Sequence, residues 1–302
     1  MNDDTRPERP PLPELVVGRA STSSASGLKA TPLPEFVEGR AGAKPRRYGA
    51  WYVAEHRFRG MRAYTQTIVA TSIGNPLLYL YALGVGLATL VDPGLGSGEV
   101  SYLTFVAPAL LASAAVTVAT EEFTYPVMLG FKWNPIFFGM NAAPISPRQI
   151  VDGIVISVTA RIVVTTVIFY AFMLLFGAVP GVLGFLTILT ATLTGLGAGT
   201  LIMAYATTIE VDKGQFAMLL RFLVLPMTLF SGTFFPLDAL PVYLHWIGWI
   251  SPLWHGAELS RVFAYGMAEP IWLTVTHVAY LMVLLIWGWV AARRITARRL
   301  NK

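Results

Sequence analysis

The sequence has no cysteine, so neither a disulfide framework nor a thiolate metal site can form. Charge is scarce as well. Asp, Glu, Lys and Arg make up 13% of the 302 residues, against about 25% in an ordinary soluble domain. Hydrophobic residues make up 55%, and mean hydropathy is +0.59. This balance excludes disorder of the whole chain, argues against a soluble enzyme and points to the bilayer. The net charge of +5 reads as the cytoplasmic excess of a membrane protein, and no nucleic-acid partner is expected.

Nucleotide-binding and hydrolytic motifs are missing too. A Walker A loop needs Gly before Lys, and none of the five lysines follows a glycine. There is no HExxH and no GxSxG. His56, His245, His255 and His277 lack metal-ligand spacing, so no metal site is expected. Histidines of this kind read as packed or interfacial. The adjacent Glu121 and Glu122 close a span at its cytoplasmic end, and read as solvated or helix-pairing carboxylates. No catalytic residue and no cofactor bound by this chain is expected.

Residues 1–46 differ from the rest, being rich in Pro, Ser, Thr, Gly and charge. Such a segment buries too little apolar surface to offset its ordering entropy and is expected to be a disordered cytoplasmic tail. It carries a duplication: Pro11-Leu-Pro-Glu-Leu-Val-Val-Gly-Arg-Ala20 returns as Pro32-Leu-Pro-Glu-Phe-Val-Glu-Gly-Arg-Ala41. A docking peptide is the alternative reading. No apolar stretch of signal-peptide type follows its basic residues.

Residues 47–302 read as one transmembrane domain, all-α and integral to the membrane. A hydrocarbon core needs about 20 apolar residues in helix. Six spans are expected, near Tyr64–Leu90, Tyr102–Thr120, Gly153–Phe176, Val182–Thr208, Gln215–Phe235 and Pro270–Ala292. Pro76 predicts a kink or wide turn in the first. Gly195 and Gly199, four apart in the fourth, allow close helix approach. Nineteen of the Lys and Arg residues fall on one side of this topology and only Arg261 on the other. The positive-inside rule then places both termini in the cytoplasm.

Before the first span, Trp51, Ala54, Phe58 and Met61 recur at three- and four-residue steps among His56, Arg57, Arg59 and Arg62. This is an amphipathic interface helix. It serves either as a plain anchor or as a lateral access route for an amphiphilic substrate, with Trp51, Tyr52, His56, Arg57 and Arg59 as the residues in question. Arg161 and Arg221 fall inside spans and must face protein or water. Glu121 or Glu122 could pair with Arg161, and Glu210 or Asp212 with Arg221. No acid lies in the middle of a span, which speaks against a proton-coupled carrier.

Two connections carry the remaining signal. In the loop Glu121–Asp152, Trp133, Ile136, Phe137 and Met140 form an apolar cluster at helical spacing, and Ser146-Pro147 reads as an N-cap with proline at N1. Such a cluster needs a cover, from lipid or from a groove on a partner. Pro236–Glu269 is too apolar for water and too interrupted by Pro241 and Pro252 to span. Trp246, Trp249 and Trp254 suit the membrane interface, and short helices dipping into the outer leaflet fit best.

Tyr125-Pro-Val-Met, Lys132-Trp133 and Ala143-Pro-Ile-Ser-Pro resemble the coupling region of type-2 ABC exporter permeases. Phe230-Ser-Gly-Thr-Phe-Phe-Pro-Leu-Asp-Ala-Leu-Pro241 and Ser251-Pro-Leu-Trp-His-Gly-Ala-Glu-Leu-Ser-Arg261 resemble the family's last outer segment. Asn75-Pro-Leu-Leu-Tyr-Leu-Tyr-Ala-Leu-Gly-Val-Gly86 is similar to its first span. The branch resembled is that of nodulation lipo-oligosaccharide and daunorubicin-type drug exporters. Asn134-Pro135 departs from the more basic pair of the family pattern.

The resemblance implies half of a translocation path, paired with a second permease as homodimer or heterodimer. It also implies two separate ABC ATPase subunits, which hold ATP and Mg. Lys132, Trp133, Phe137, Met140, Pro144, Ser146 and Arg148 are then the ATPase-coupling loop. Phe234, Phe235, Pro236, Trp246, Trp249, Trp254 and His255 form the outer gate and re-entrant helices between spans five and six. The implied function is export of a lipo-oligosaccharide, glycolipid or polysaccharide precursor across the bacterial cytoplasmic membrane, with drug efflux as the alternative cargo. Two readings come from other classes. An intramembrane lipid transferase would have mainly His245, His255, Glu258 and Arg261 to use. An ATP-independent carrier would need coupling acids that the spans lack.

Overall fold

The computed structural model describes residues 46–87 and 100–302. The tail, with its duplicated segment, and the end of the first expected span lie outside them. The described residues are helical throughout, with no strand among them.

Helix α1 (Gly49–Met61) buries Val53 and Ala54 and leaves Trp51 and Tyr52 exposed. Helix α2 (Thr65–Tyr81) runs on through Pro76 and passes into a wider π turn at Ala82–Leu87. Helix α3 (Tyr102–Phe123) starts at Ser101, whose side chain accepts from the Thr104 amide. A short α4 (Tyr125–Met128), a π turn and α5 (Ile136–Ala142) form the connection to the next long helix.

Helix α6 (Pro147–Leu175) begins where the sequence signals it. The Ser146 side chain accepts from the Gln149 amide, and Gln149 reaches back to the Ser146 amide in a reciprocal cap. Helix α7 is Leu186–Thr208. The next apolar segment is broken into α8 (Gln215–Leu219), a π turn at Leu220–Val224 and α9 (Leu225–Phe230). Pro226 has no amide proton to donate into the preceding turn, which is why the ladder widens there. Helices α10 (His245–Ile250) and α11 (Pro252–Tyr265) lead to the long α12 (Ile271–Leu300).

Among the described residues, four helical stretches are long and apolar enough to cross a membrane: Tyr102–Trp133, Pro147–Leu175, Leu186–Thr208 and Ile271–Leu300. The other two expected spans are shorter as described. Helix α2 has 17 residues, and Gln215–Phe230 is a shorter apolar helix.

Of these four, the stretches of α3 and α7 are the most enclosed, and those of α6 and α12 bury less than half of their residues. The α3–α7 contact depends on small residues. A Cβ added at Gly195 would lie 2.7 Å from the Ala115 carbonyl oxygen, and one at Gly199 would lie 2.7 Å from the Ala119 Cβ. Both pairs are four apart on both helices, so the backbones meet along one seam.

Candidate functional site

Four segments converge on one buried carboxylate. Glu122, 1% exposed near the end of α3, accepts from the Arg57 guanidinium of α1 at 2.5 Å and from the Arg161 guanidinium of α6. Arg57 also donates to Ser157 Oγ at 2.9 Å, and Arg161 to Glu121 at 3.1 Å. The Tyr64 hydroxyl stands 3.5 Å from Glu122, at the limit of a hydrogen bond. Two carboxylates and two guanidiniums cancel, so the hub is close to neutral and its charges have short-range partners. This is how intramembrane charge is tolerated. The expected pairing of Arg161 with Glu121 and Glu122 is present in full.

The connection between α3 and α6, next to the hub, has a buried and an exposed face. Phe137 is 3% exposed and meets Phe131 edge-on at 5.0 Å. A Cβ at Gly130 would lie 2.3 Å from its ring, so only glycine admits it. The cover for Phe137 is therefore internal, not the lipid or partner groove that the sequence suggests. Trp133 and Phe138 remain exposed, together with Lys132 and Arg148, while Met140, Pro144 and Ser146 are half-buried.

The exposed face is linked to the membrane helices. The Trp133 ring stacks on Tyr125 at 6.3 Å, and Tyr125 meets the fully buried Phe216 of α8 edge-on at 4.9 Å. Arg299 of α12 lies 4.1 Å over Phe131 and donates to the carbonyls of Thr207 and Ile209 at 2.8 and 2.9 Å. Those carbonyls end α7 and would otherwise lack donors. Asp152 of α6 accepts from Arg293 at 2.6 Å and from Trp289 at 2.9 Å, which fixes α6 to α12.

On the opposite side, α11 is held by Arg261, which is 0% exposed. It donates to the Phe105 carbonyl at 3.2 Å, the Gly232 carbonyl at 2.6 Å and Glu258 at 2.7 Å. Its guanidinium lies 3.8 Å over the Phe105 ring.

A second buried chain joins α11 to α12. His255 Nε2 is 3.0 Å from the Trp249 carbonyl, its Nδ1 is 2.7 Å from His277 Nδ1, and His277 Nε2 is 2.8 Å from Glu269. The carbonyl can only accept, so His255 donates from Nε2 and accepts at Nδ1 from His277. The remaining bond shares one further proton between His277 and Glu269. Tyr280 stacks on His255 at 4.0 Å. Burial pushes the His255 imidazole down to about 4, with the neighbouring His277 acting the same way and the Trp249 carbonyl opposing. No group of three or more metal-ligating side chains occurs among the described residues.

Of the outer-gate residues, Phe234 is half-buried, and its carbonyl accepts from the Tyr102 hydroxyl at 3.3 Å. Pro236 and Trp254 are half-buried, and His255 is buried. Phe235, Trp246 and Trp249 are exposed.

Residues 50–265 match the ABC-2 type transporter family. The chain belongs to that family. It is 28% identical over 255 residues to nodulation protein J of Rhizobium leguminosarum bv. viciae, covering 81% of this chain and 93% of the relative. Nodulation protein J of Rhizobium meliloti strain 1021 is 27% identical over 219 residues, covering 69% and 79%. That of Bradyrhizobium diazoefficiens is 26% identical over 214 residues, covering 67% and 77%. The chain is thus a type-2 ABC permease of the nodulation protein J branch and a multi-pass membrane protein.

Two further sequence expectations for this permease need correction. Arg221 makes no ion pair among the described residues. Its expected partners are engaged elsewhere: Asp212 accepts from the Gly214 amide at 2.9 Å, and Glu210 faces Lys302 at 3.8 Å. Arg221 stays exposed in the π turn of the α8–α9 segment. The interface-helix residues also divide. Arg57 belongs to the hub, while Trp51, Tyr52, His56 and Arg59 are exposed, with Arg59 paired to Glu55 at 2.6 Å.

The sequence reading missed the anchoring by Arg261 and the His255–His277 contact. Arg261 closes the quoted outer-segment motif, and that was its only signal. The histidines are 22 positions apart, and only the fold joins them.

Proposed function

We propose that the permease forms the membrane path of an ATP-driven exporter that moves an amphiphilic substrate out across the bacterial cytoplasmic membrane. The cargo is a lipo-oligosaccharide, glycolipid or polysaccharide precursor, as the branch resemblance suggests. Two ABC ATPase subunits carry ATP and Mg, and the permease pairs with a second permease. Helix α2 and the Gln215–Phe230 segment cross the membrane with the four longer helices, giving six spans with both termini cytoplasmic. Helices α10 and α11 re-enter from the outer side.

The observation that carries this reading is the path from the exposed Trp133 through Tyr125 to Phe216. It joins a cytoplasmic apolar surface to the start of the fifth span through ring contacts of 6.3 and 4.9 Å. An ATPase groove covering Trp133 and Phe138 would move Tyr125 when the ATPase dimer closes, and Phe216 would carry that displacement into α8. The Glu122 hub would take the same movement to α1 and α6. Coupling of this kind requires two states that ATP binds differently.

The test is uptake of a fluorescent glycolipid into inside-out vesicles. Uptake is expected to need ATP and to be lost in Trp133→Ala with the protein still folded. Uptake that persists without ATP would point to a carrier.

A second cargo, an apolar drug, is supported by a separate hollow of about 720 Å³ between α7, the α8–α9 segment and α12. Phe222, Tyr205, Tyr280 and Trp287 line it with aliphatic side chains. It offers hydrocarbon contact almost alone.

A further inference from the structure

A narrow cleft between α2, α3, α6 and the α9 end has a different lining, and it points to the part of the substrate it receives. It encloses about 120 Å³. Ser113, Thr117 and Glu121 line it from α3, at steps of four residues. Thr71, Asn75 and Tyr79 line it from α2, again at steps of four. Two polar stripes on adjacent helices therefore face one space, and the α3 stripe rises about 12 Å. Phe234 closes part of the lining.

The hydrogen-bond capacity of this lining is largely unused. Thr71 and Thr117 donate their hydroxyl protons to carbonyls of their own helices at 2.9 Å, which leaves oxygen lone pairs for the cleft. Glu121 gives one carboxylate oxygen to Arg161 and keeps the other free. The Asn75 carboxamide and the Ser113 hydroxyl have no hydrogen-bond partner among the described residues. The cleft thus presents free donors, from Asn75, Ser113 and Tyr79, beside free acceptors on Thr71, Thr117 and Glu121. Its only charge, Glu121, is paired. At membrane depth an unpartnered polar stripe is unfavourable unless water or a polar ligand meets it.

Resting on the exporter reading, we propose that this cleft binds the uncharged, polyhydroxylated head of the substrate, a saccharide. Sugar hydroxyls both donate and accept, so they match a lining that offers donors and acceptors together. The faces of Tyr79 and Phe234 meet the apolar C–H faces of a sugar ring. A phosphate or carboxylate head would meet the Glu121 carboxylate with no cation in the lining to offset it, and is rejected.

The test uses the full chain in lipid nanodiscs, without ATP or an ATPase. Two photoreactive probes with the same dodecyl tail are compared, one with a maltoside head and one with a phosphocholine head. Mass spectrometry maps the labelled residues. The maltoside probe is expected to label α2 and α3 around Asn75 and Thr117, and the phosphocholine probe is not. The double variant Asn75→Leu/Thr117→Val is expected to cut maltoside labelling at least fivefold. Ser113→Ala, which removes one hydroxyl and little volume, is expected to cut it by less. Thermal unfolding of each variant checks that it is folded.

Equal labelling by both probes, or unchanged labelling in the folded double variant, overturns the saccharide site. ATP-dependent transport alongside that result would leave the exporter reading standing. Head-selective labelling that the double variant abolishes supports the site even where transport proves independent of ATP, a result that would refute only the exporter reading.

Discussion

Arg57 on the surface helix donates at 2.5 Å to Glu122, 65 positions later in the chain, inside an environment that leaves Glu122 1% exposed. A helix that composition alone places on the lipid surface is therefore bound by a buried charge to the C-terminal end of α3. Arg161 reaches the same carboxylate from α6. Displacement of any one of these helices disturbs the other two.

Glu122→Gln leaves two guanidiniums facing each other with only Glu121 nearby. Breaking a buried pair from one side costs about 3–5 kcal/mol. A large drop in the unfolding temperature is expected in nanodiscs, together with loss of ATP-driven transport. The double variant Arg57→Gln/Glu122→Gln is expected to recover part of the stability. Identical melting of wild type and Glu122→Gln would show that the hub contributes nothing.

Trp133 and Phe137 lie four positions apart in the α3–α6 connection and are expected to behave oppositely. Phe137→Ala empties a buried site beside Gly130 and Phe131, with a loss of about 3–5 kcal/mol. Trp133→Ala leaves the unfolding temperature nearly unchanged, because the ring is 52% exposed, yet it uncouples substrate from ATP hydrolysis in the assembled transporter. Melting curves and substrate-stimulated ATPase rates separate the two. Normal coupling in Trp133→Ala would contradict the docking face.

Arg261→Lys keeps the charge and removes the planar fork that serves Phe105, Gly232 and Glu258 together. Three acceptors on three segments cannot be met by one ammonium in that geometry. The variant is expected to lose at least 1–3 kcal/mol, roughly the penalty for an unsatisfied buried group, and to expose the α11 region to protease from the outer side. Wild-type protection would disprove the anchoring role.

His255 is held neutral when folded, at about 4, against about 6.5 in an unfolded chain. The unfolded state therefore binds the extra proton first as pH falls. The contribution is fully present above about pH 6.5 and is lost as pH falls toward about 4. The groups facing His255 are His277, Glu269 beyond it, Trp254 and Tyr280. His255→Gln is expected to flatten the decline of the unfolding temperature between pH 7 and pH 4 relative to wild type. Parallel declines in the two proteins would refute this.

Much of the architecture was legible because membrane helices need length and apolarity, and both can be read directly. The Arg161 partners were legible because an intramembrane cation demands an acid at the same depth, and Glu121 and Glu122 stand at the matching helix end. The direction in which Phe137 turns was not legible. Helical spacing groups Trp133, Phe137 and Met140 but does not say which one turns inward, and the answer depends on the space at Gly130. Arg221 was misassigned because two acids close in sequence were already engaged, by a turn amide and by Lys302. The break at Leu220–Val224 comes from Pro226 within a run whose composition alone suggests an unbroken span.

The most direct measurement is purification of the permease from its native membrane with lipids retained, followed by quantification of associated proteins and their ATP hydrolysis. The expected result is an ABC ATPase at one copy per permease, with the association lost in Trp133→Ala/Phe138→Asp and retained in Arg59→Ala. Recovery of the permease alone, under extraction that keeps other membrane complexes intact, and with transport unaffected by ATP depletion, would contradict an ATP-driven exporter.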